Sequence, residues 1–229
     1  MKRDAQEGSP QMIIDHDHPQ YRKRWMQCTE NKYNGAFYYS KEIVQNIIPR
    51  IKTDRNWVTI NIQGVGANHA IVFIHNNLHP ENYNWLKYYG YTDLVLVCGI
   101  PETCEKVERF GRPIYLPLSI DTEYIEQFRK TEKTKEAAIV GRKSKVEKYR
   151  KDLPDGVDVL FGMKRQALLP RMADYKKIYA VGRTAIEARA LGCEVLPYDP
   201  RFPDPSRWGV IDNREAAAIL QRRLDEIDR

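Results

Sequence analysis

Residues 179–198 read YAVGRTAIEARALGCEVLPY, and this stretch decides the fold. An apolar run ends at Ala180-Val181, Gly182-Arg183-Thr184 turns the chain, an alanine-rich segment follows, and Gly192 precedes a second apolar run at Val195-Leu196. That is strand, helix and strand, the order from which α/β folds are built. Gly182 admits close backbone approach, Thr184 can cap the helix, and the orphan N–H groups of a first helical turn make an anion site. Glu187 lies about one turn further on, where a carboxylate can accept from a ribose diol, and Gly192 supplies the C-terminal stop.

Outward from this stretch, apolar β-branched runs alternate with amphipathic segments almost from end to end, which predicts βαβ units around a mostly parallel sheet. In the first half the pattern predicts strands at 12–14, 57–62, 70–75, 94–98 and 113–116, with helices at 37–51, 81–89 and 101–110. Pro101 at a first turn and Gly111 after the last fit the asymmetry of helix ends. A polar stretch through Lys135 has the composition of a connector. The alternation restarts at Ala137, with helices at 145–151, 165–173, 184–191 and 213–227 and strands at 157–161, 177–181 and 194–198. The chain reads as α/β, two compact Rossmann-like lobes (1–130 and 131–229) facing a cleft, with a single doubly wound sheet carrying an extra edge as the alternative.

The 229 residues have an ordinary apolar content and a net charge of +6, which favours an anionic partner without choosing among nucleotide, nucleic acid and acidic lipid. Basic residues gather at 21–25, 129–135 and 142–151; such runs are ordinary solvated faces unless they lie beside a site. Cys28, Cys98, Cys104 and Cys193 are scattered and form no CxxC pair, the pattern of buried thiols rather than of a metal or disulfide framework. No apolar run reaches the length of a membrane span, and the opening MKRDAQEGSPQ has no hydrophobic region of the kind a secretory signal needs, so a cytoplasmic location is expected.

Ligands of open α/β sheets bind beyond the carboxyl ends of the strands. After Val140 stand Gly141, Arg142 and Lys145, then Lys148; a guanidinium can grip two phosphate oxygens while a lysine adds a movable charge. Cations at a helix start are unfavourable by about 0.3–1 kcal/mol unless an anion is present, which favours a phosphate site here. The strand expected at 70–75 delivers His75, a residue type whose ordinary pKa lies near working pH and which can donate a hydrogen bond or take a proton; a satisfied structural histidine is the competing reading. Asp15 and Asp17 follow the first strand within Asp-His-Asp-His. Strand-like spacing sends these neighbours to opposite faces, so a polar loop is favoured over a metal site, and no metal is expected.

Several of these segments also carry a family resemblance. Glu187-Ala188-Arg189-Ala190-Leu191-Gly192, preceded by the glycine turn, resembles the nucleotide-sugar lobe of GT-B glycosyltransferases, in particular the family 4-like C-terminal lobe. Gly141-Arg142 with Lys145 or Lys148 is similar to the same family's diphosphate-holding segment, and residues 71–77 to its histidine-bearing strand. Together with 93–98 and 113–121, the likeness runs in order over roughly residues 70–200.

The resemblance implies a metal-independent glycosyltransferase that moves a sugar from a nucleoside diphosphate donor, its co-substrate, to a hydroxyl acceptor. It places Gly141, Arg142, Lys145, Lys148, Gly182, Arg183, Thr184 and Glu187 on the donor and His75, Asp15 or Asp17 on the acceptor side as base. Tyr179 stands where many retaining members carry a first glutamate, so the likeness speaks for donor binding more than for a retaining mechanism. The basic run 21–25, with its interleaved aromatics, also admits DNA as acceptor. A nucleotide-binding protein without turnover and a nucleotide-sugar epimerase are the remaining alternatives.

Overall fold

The computed structural model describes residues 12–13, 35–58, 68–74, 92–202, 204–205 and 209–229. Continuous apolar runs become parallel strands, because only a strand covered on both faces tolerates them. β1 (Met12–Ile13), β2 (Asn56–Val58), β3 (Asn68–Ile74), β4 (Thr92–Cys98) and β5 (Arg112–Tyr115) form a five-stranded sheet in that spatial order, every pairing parallel. Alternation divides the sheet's side chains: Ile71, Phe73, Val95 and Val97 enter one apolar cluster, whereas Val72, Ile74, Leu94 and Leu96 enter another with Val107.

Between β1 and β2 the helix α1 (Gly35–Glu42) loosens into a π-helical turn, Ile43–Ile47, and a 3₁₀ turn, Ile48–Arg50, in which Pro49 ends the helix. α2 (Pro101–Val107) links β4 to β5 and opens on the expected proline. The polar stretch read as a connector is not without structure. β6 (Ser119–Ile120) precedes α3 (Thr122–Glu126), which forms because Asp121 Oδ1 accepts from the Tyr124 N–H at 2.9 Å and buried Ile125 anchors the turn.

The second sheet holds β7 (Lys135–Val140), β8 (Asp158–Leu160), β9 (Tyr175–Tyr179) and β10 (Glu194–Leu196), in the spatial order β10-β9-β7-β8 and again all parallel. Its helices are α4 (Lys143–Tyr149), α5 (Arg165–Met172) and α6 (Arg183–Ala190). Gly192 ends α6 as expected: its N–H donates to Arg189 O at 2.8 Å and that of Cys193 to Ala188 O at 3.0 Å. The ends of α5 and α6 are also clipped together, since Lys133 Nζ donates to Ala173 O at 3.1 Å and Leu191 O at 3.0 Å.

The chain then returns to the first half. β11 (Ile211–Asp212) pairs in parallel with β6, and α7 (Asn213–Ile227) packs on the turns that follow α1. Ala216, Ala217, Leu220 and Leu224 form its buried stripe, and Asp212 caps it by accepting from Arg214 N at 2.7 Å. Arg55 fixes the far end by donating to Asp228 Oδ1 at 2.7 Å. One apolar cluster runs from Trp57, Phe73 and Val97 on the first sheet through Ile43, Ile47 and Leu220 to Val140, Ile178 and Val195 on the second. The chain is thus α/β with parallel sheets that share a core. No helix among the described residues is long and apolar enough to cross a membrane.

Candidate functional site

The strand order of the second sheet marks the candidate site. From β7 the chain moves to β8 on one side, and from β9 to β10 on the other, so the order reverses between β7 and β9, and ligands of such sheets bind where that reversal occurs. The first sheet runs β1 to β5 in sequence and has no such reversal among its described strands. Ile139 lies opposite Tyr179 in the β7–β9 pairing, so the segments that follow, Gly141-Arg142 and Gly182-Arg183, leave the sheet side by side.

Both segments need their glycine. A Cβ at Gly141 would stand 3.1 Å from Tyr198 Oη, while Gly182 holds φ 60° and ψ −140°, a conformation that side-chain-bearing residues rarely adopt. Gly182 is itself the N-cap of α6, its carbonyl accepting from Ala185 N at 3.0 Å and Ile186 N at 3.3 Å. Thr184, expected as the cap, therefore lies inside the first turn. The helix begins at Arg183 because the glycine turn already supplies the cap geometry, and no side chain is needed to close it.

A basic rim surrounds the Gly141 turn. Arg142 is exposed at the N-cap of α4, whose first turn carries Lys143 and Lys145 and no acid. Lys145 Nζ lies 3.6 Å from Asp199 Oδ2, and Arg201 forks onto the same carboxylate with Nε 2.9 Å from Oδ1 and Nη2 2.7 Å from Oδ2. The hydrogen bonds from Arg201, with help from Tyr149, hold Asp199 well below the usual carboxylate range although burial opposes ionisation. Burial, then the Asp199 charge, pushes the Tyr198 phenol up to about 12. Tyr149 packs against Tyr198 at 5.6 Å between ring centroids, and exposed Lys148 extends its ammonium over the Tyr149 ring.

Next to this rim lies a different cluster, closed to water. Glu187 is wholly buried (0 % exposed), and its Oε1 accepts from Arg165 Nε at 3.0 Å and Arg183 Nε at 3.1 Å. Arg183 Nη2 also donates to Glu42 Oε1 at 2.6 Å, and Arg165 Nη1 lies 3.4 Å from that oxygen. Asn213 Nδ2 donates to Glu42 Oε2 at 3.0 Å while its own Oδ1 accepts from Ser119 Oγ at 2.8 Å. The Arg165 guanidinium rests 5.1 Å from the centroids of both Tyr38 and Tyr124. Its Nη2 is held to Glu187 by charge, 2.9 Å from Oε1, and finds no well-directed hydrogen-bond acceptor among the described residues. Burial opposes ionisation of Glu42, but Arg183, Arg165 and the bonds from Arg183 and Asn213 outweigh it and lower its pKa.

The residues expected on the donor thus divide. Gly141, Arg142, Lys145 and Lys148 gather at the rim beside the Gly182 turn. Arg183 and Glu187 point into the buried cluster, so Glu187 faces guanidinium groups where a ribose diol was expected. Tyr179 is buried with Ile139, Val146 and Tyr198, packed in an apolar cluster of the sheet. His75, Asp15, Asp17 and the basic run 21–25 lie outside the described residues. Among the described residues no group of three or more His, Cys, Asp or Glu is placed to hold a metal ion.

Asp199 and Arg201, in a segment rich in proline, are not among the expected site residues, although the strand-end rule that singles out Arg142 applies equally to the end of β10. Glu42 and Arg165 carry no comparable signal, because nothing local marks a charge as buried. Compared with family models, curated proteins and solved structures, the chain matches none, and its chemistry rests on the strand-end geometry.

Proposed function

We propose that this chain is a glycosyltransferase of the GT-B kind, binding a nucleoside diphosphate sugar at the reversal point of the second sheet. One observation supports this above the others: Gly141-Arg142 and the Gly182 turn, far apart in sequence, leave adjacent strands together. Arg142, with Lys145 and Lys148, grips the diphosphate; the backbone of the Gly182 turn and the N-terminus of α6 add N–H groups and a favourable dipole. Glu187 acts by holding Arg183 and Arg165 in place. Two Rossmann-like lobes, 1–130 and 131–229, facing a cleft belong to the same proposal, as do His75, Asp15 or Asp17 as base.

In the transfer an acceptor hydroxyl oxygen attacks the anomeric carbon, its proton passes to the base, and the bond from that carbon to the diphosphate oxygen breaks. The negative charge that grows on the leaving diphosphate is met by the rim cations, which lets the reaction proceed without a metal. Calorimetric titration with UDP, GDP, ADP and CDP tests the donor site. At least one should bind, and Arg142→Ala should weaken it by about tenfold, the size of one charge-assisted hydrogen bond. Failure of all of them to bind, or an Arg142→Ala variant that binds as well as the parent, overturns the donor site.

A second reading, a nucleotide-binding protein without turnover, is favoured by the buried Tyr179 at the position of the first glutamate and by the engagement of Glu187. Incubation with a panel of nucleotide sugars, with and without duplex DNA, separates the two: a transferase consumes donor, and a binder leaves it intact.

A further inference from the structure

We infer that Glu42, a residue of the first half, is the positioning residue of the Gly182 turn, setting it through Arg183 and thereby coupling the seat of α1 to anion binding in the second half. The part that concerns anion binding rests on the donor-site proposal. Arg183 is the residue directly after Gly182, the first of α6, and among the described residues its side chain is held by Glu187, Ser119 and Glu42. Glu187 pulls on Nε from within the same helix at 3.1 Å, Ser119 O accepts from Nη1 at 3.4 Å, and Glu42 accepts from Nη2 at 2.6 Å.

Glu42, a residue of α1, stands at the shortest of these distances from Arg183. It is in turn fixed from behind by Asn213 Nδ2 at 3.0 Å, the first residue of α7. Arg183 and Glu42 are both buried, so loss of the Glu42 charge weakens a bond that solvent does not readily replace. Gly182 is the N-cap of α6 and its carbonyl holds the first turn through the backbone alone, with no side-chain hydrogen bond. The Arg183 side chain is therefore a tether between this turn and the first half of the chain. By linkage, an anion on the turn and a carboxylate behind it strengthen each other's hold to the same degree.

The experiment compares the full chain with Glu42→Gln, which keeps shape and an acceptor oxygen but loses the charge, and with Lys133→Met. Lys133 clips the opposite ends of α5 and α6, so its loss destabilises the same helices without touching the turn. Amide hydrogen exchange of the peptide covering 180–186, without ligand, reads the turn directly. Exchange there should rise about tenfold in Glu42→Gln, the size of a typical coupling between sites, and stay near the parent in Lys133→Met. Nucleoside diphosphate affinity should fall by a similar factor in Glu42→Gln only.

Equal exchange in the parent and Glu42→Gln overturns the inference, as does an equal rise in both variants, which would make Glu42 merely one stabilising contact among others. A parent that binds no nucleoside diphosphate fails the donor-site proposal, while the exchange comparison still decides the positioning role. Should Glu42→Gln fail to fold, Asn213→Ala loosens the same carboxylate from behind and must raise turn exchange in the same direction; an unchanged turn in that variant overturns the inference.

Discussion

The second sheet carries two groups of opposite charges at its strand ends, and they differ in what covers them. At the Gly141 rim, Lys145 and Arg201 share Asp199 while their own ends remain partly in water, with side chains 42 % and 48 % exposed. In the Glu42, Arg165, Arg183 and Glu187 cluster every partner is buried. Asp199 itself is buried, so the rim differs from the cluster in the exposure of its cations, which solvent screens. A desolvated cluster gains little over an apolar core while intact, but removal of one member strands the others without solvent. On the proposed donor site the two divide the work: the rim cations would meet a ligand phosphate, and the buried cluster would hold the elements that present them.

The contrast breaks first at Glu187. Glu187→Ala leaves Arg165 and Arg183 facing each other away from water and should destabilise the fold by about 3–5 kcal/mol, read by urea denaturation. An effect below 1 kcal/mol would place this cluster with the rim. The same cluster should shape the acid limb of stability. Because the pKa of Glu42 is lowered on folding, its contribution is fully present above the ordinary 4.5 and is lost as pH falls through the lowered value. Melting temperatures followed down from pH 6 should drop less steeply in Glu42→Gln than in the parent.

Lys133 sharpens the comparison as a partly exposed cation with buried work. Its ammonium serves the carbonyl ends of two helices, so Lys133→Met should cost about 1–2 kcal/mol in the same denaturation assay, more than a surface ion pair and less than the buried cluster. At the rim the expectation reverses. Arg142→Ala should change stability by no more than about 0.5 kcal/mol while reducing diphosphate affinity, a separation that calorimetry and melting read together.

The smallest effect lies at the opposite end of the first sheet. His69 Nδ1 stands 2.5 Å from Asp93 Oδ2 and Nε2 3.1 Å from Asp54 Oδ1, and the bond to Asp93 raises the histidine pKa despite some burial. That contribution is complete below the ordinary 6.5 and fades as pH rises through the raised value. A melting temperature that falls slightly between pH 6 and 8 in the parent, and is flat in His69→Gln, is the expected result.

Much of the fold was legible because its signals are local. The helix 213–227 was read with its bounds, since Asp212 caps it and its apolar stripe has helical spacing. The strands carrying Ile71 to Ile74 and Leu94 to Cys98 were plain because parallel strands are apolar without interruption. The misreadings lie where a local cue pointed to two outcomes. Thr184 carries the hydroxyl of a cap, yet the glycine before it takes that place; the residues after Ile120 are polar like a connector, yet Asp121 and Ile125 suffice for a short helix. The cations after Val140 are read from the strand-end rule, whereas Asp199, which pairs with Lys145 and Arg201, has no local mark because proline and arginine around it resemble an ordinary loop.

Periodicity, caps and the glycine turns, all read over a few consecutive residues, were enough to establish an α/β chain with a cationic strand end after Val140 and a glycine-led helix after Val181. Which charges are dry, and with whom they pair, was decided only by folding. Glu42 meets Arg183 across 141 positions, and no local pattern marks either as buried. Solvation is the reason: the energy of a charge depends on what covers it, and the covering of Glu42, Arg165, Arg183 and Glu187 is assembled from helices of both halves.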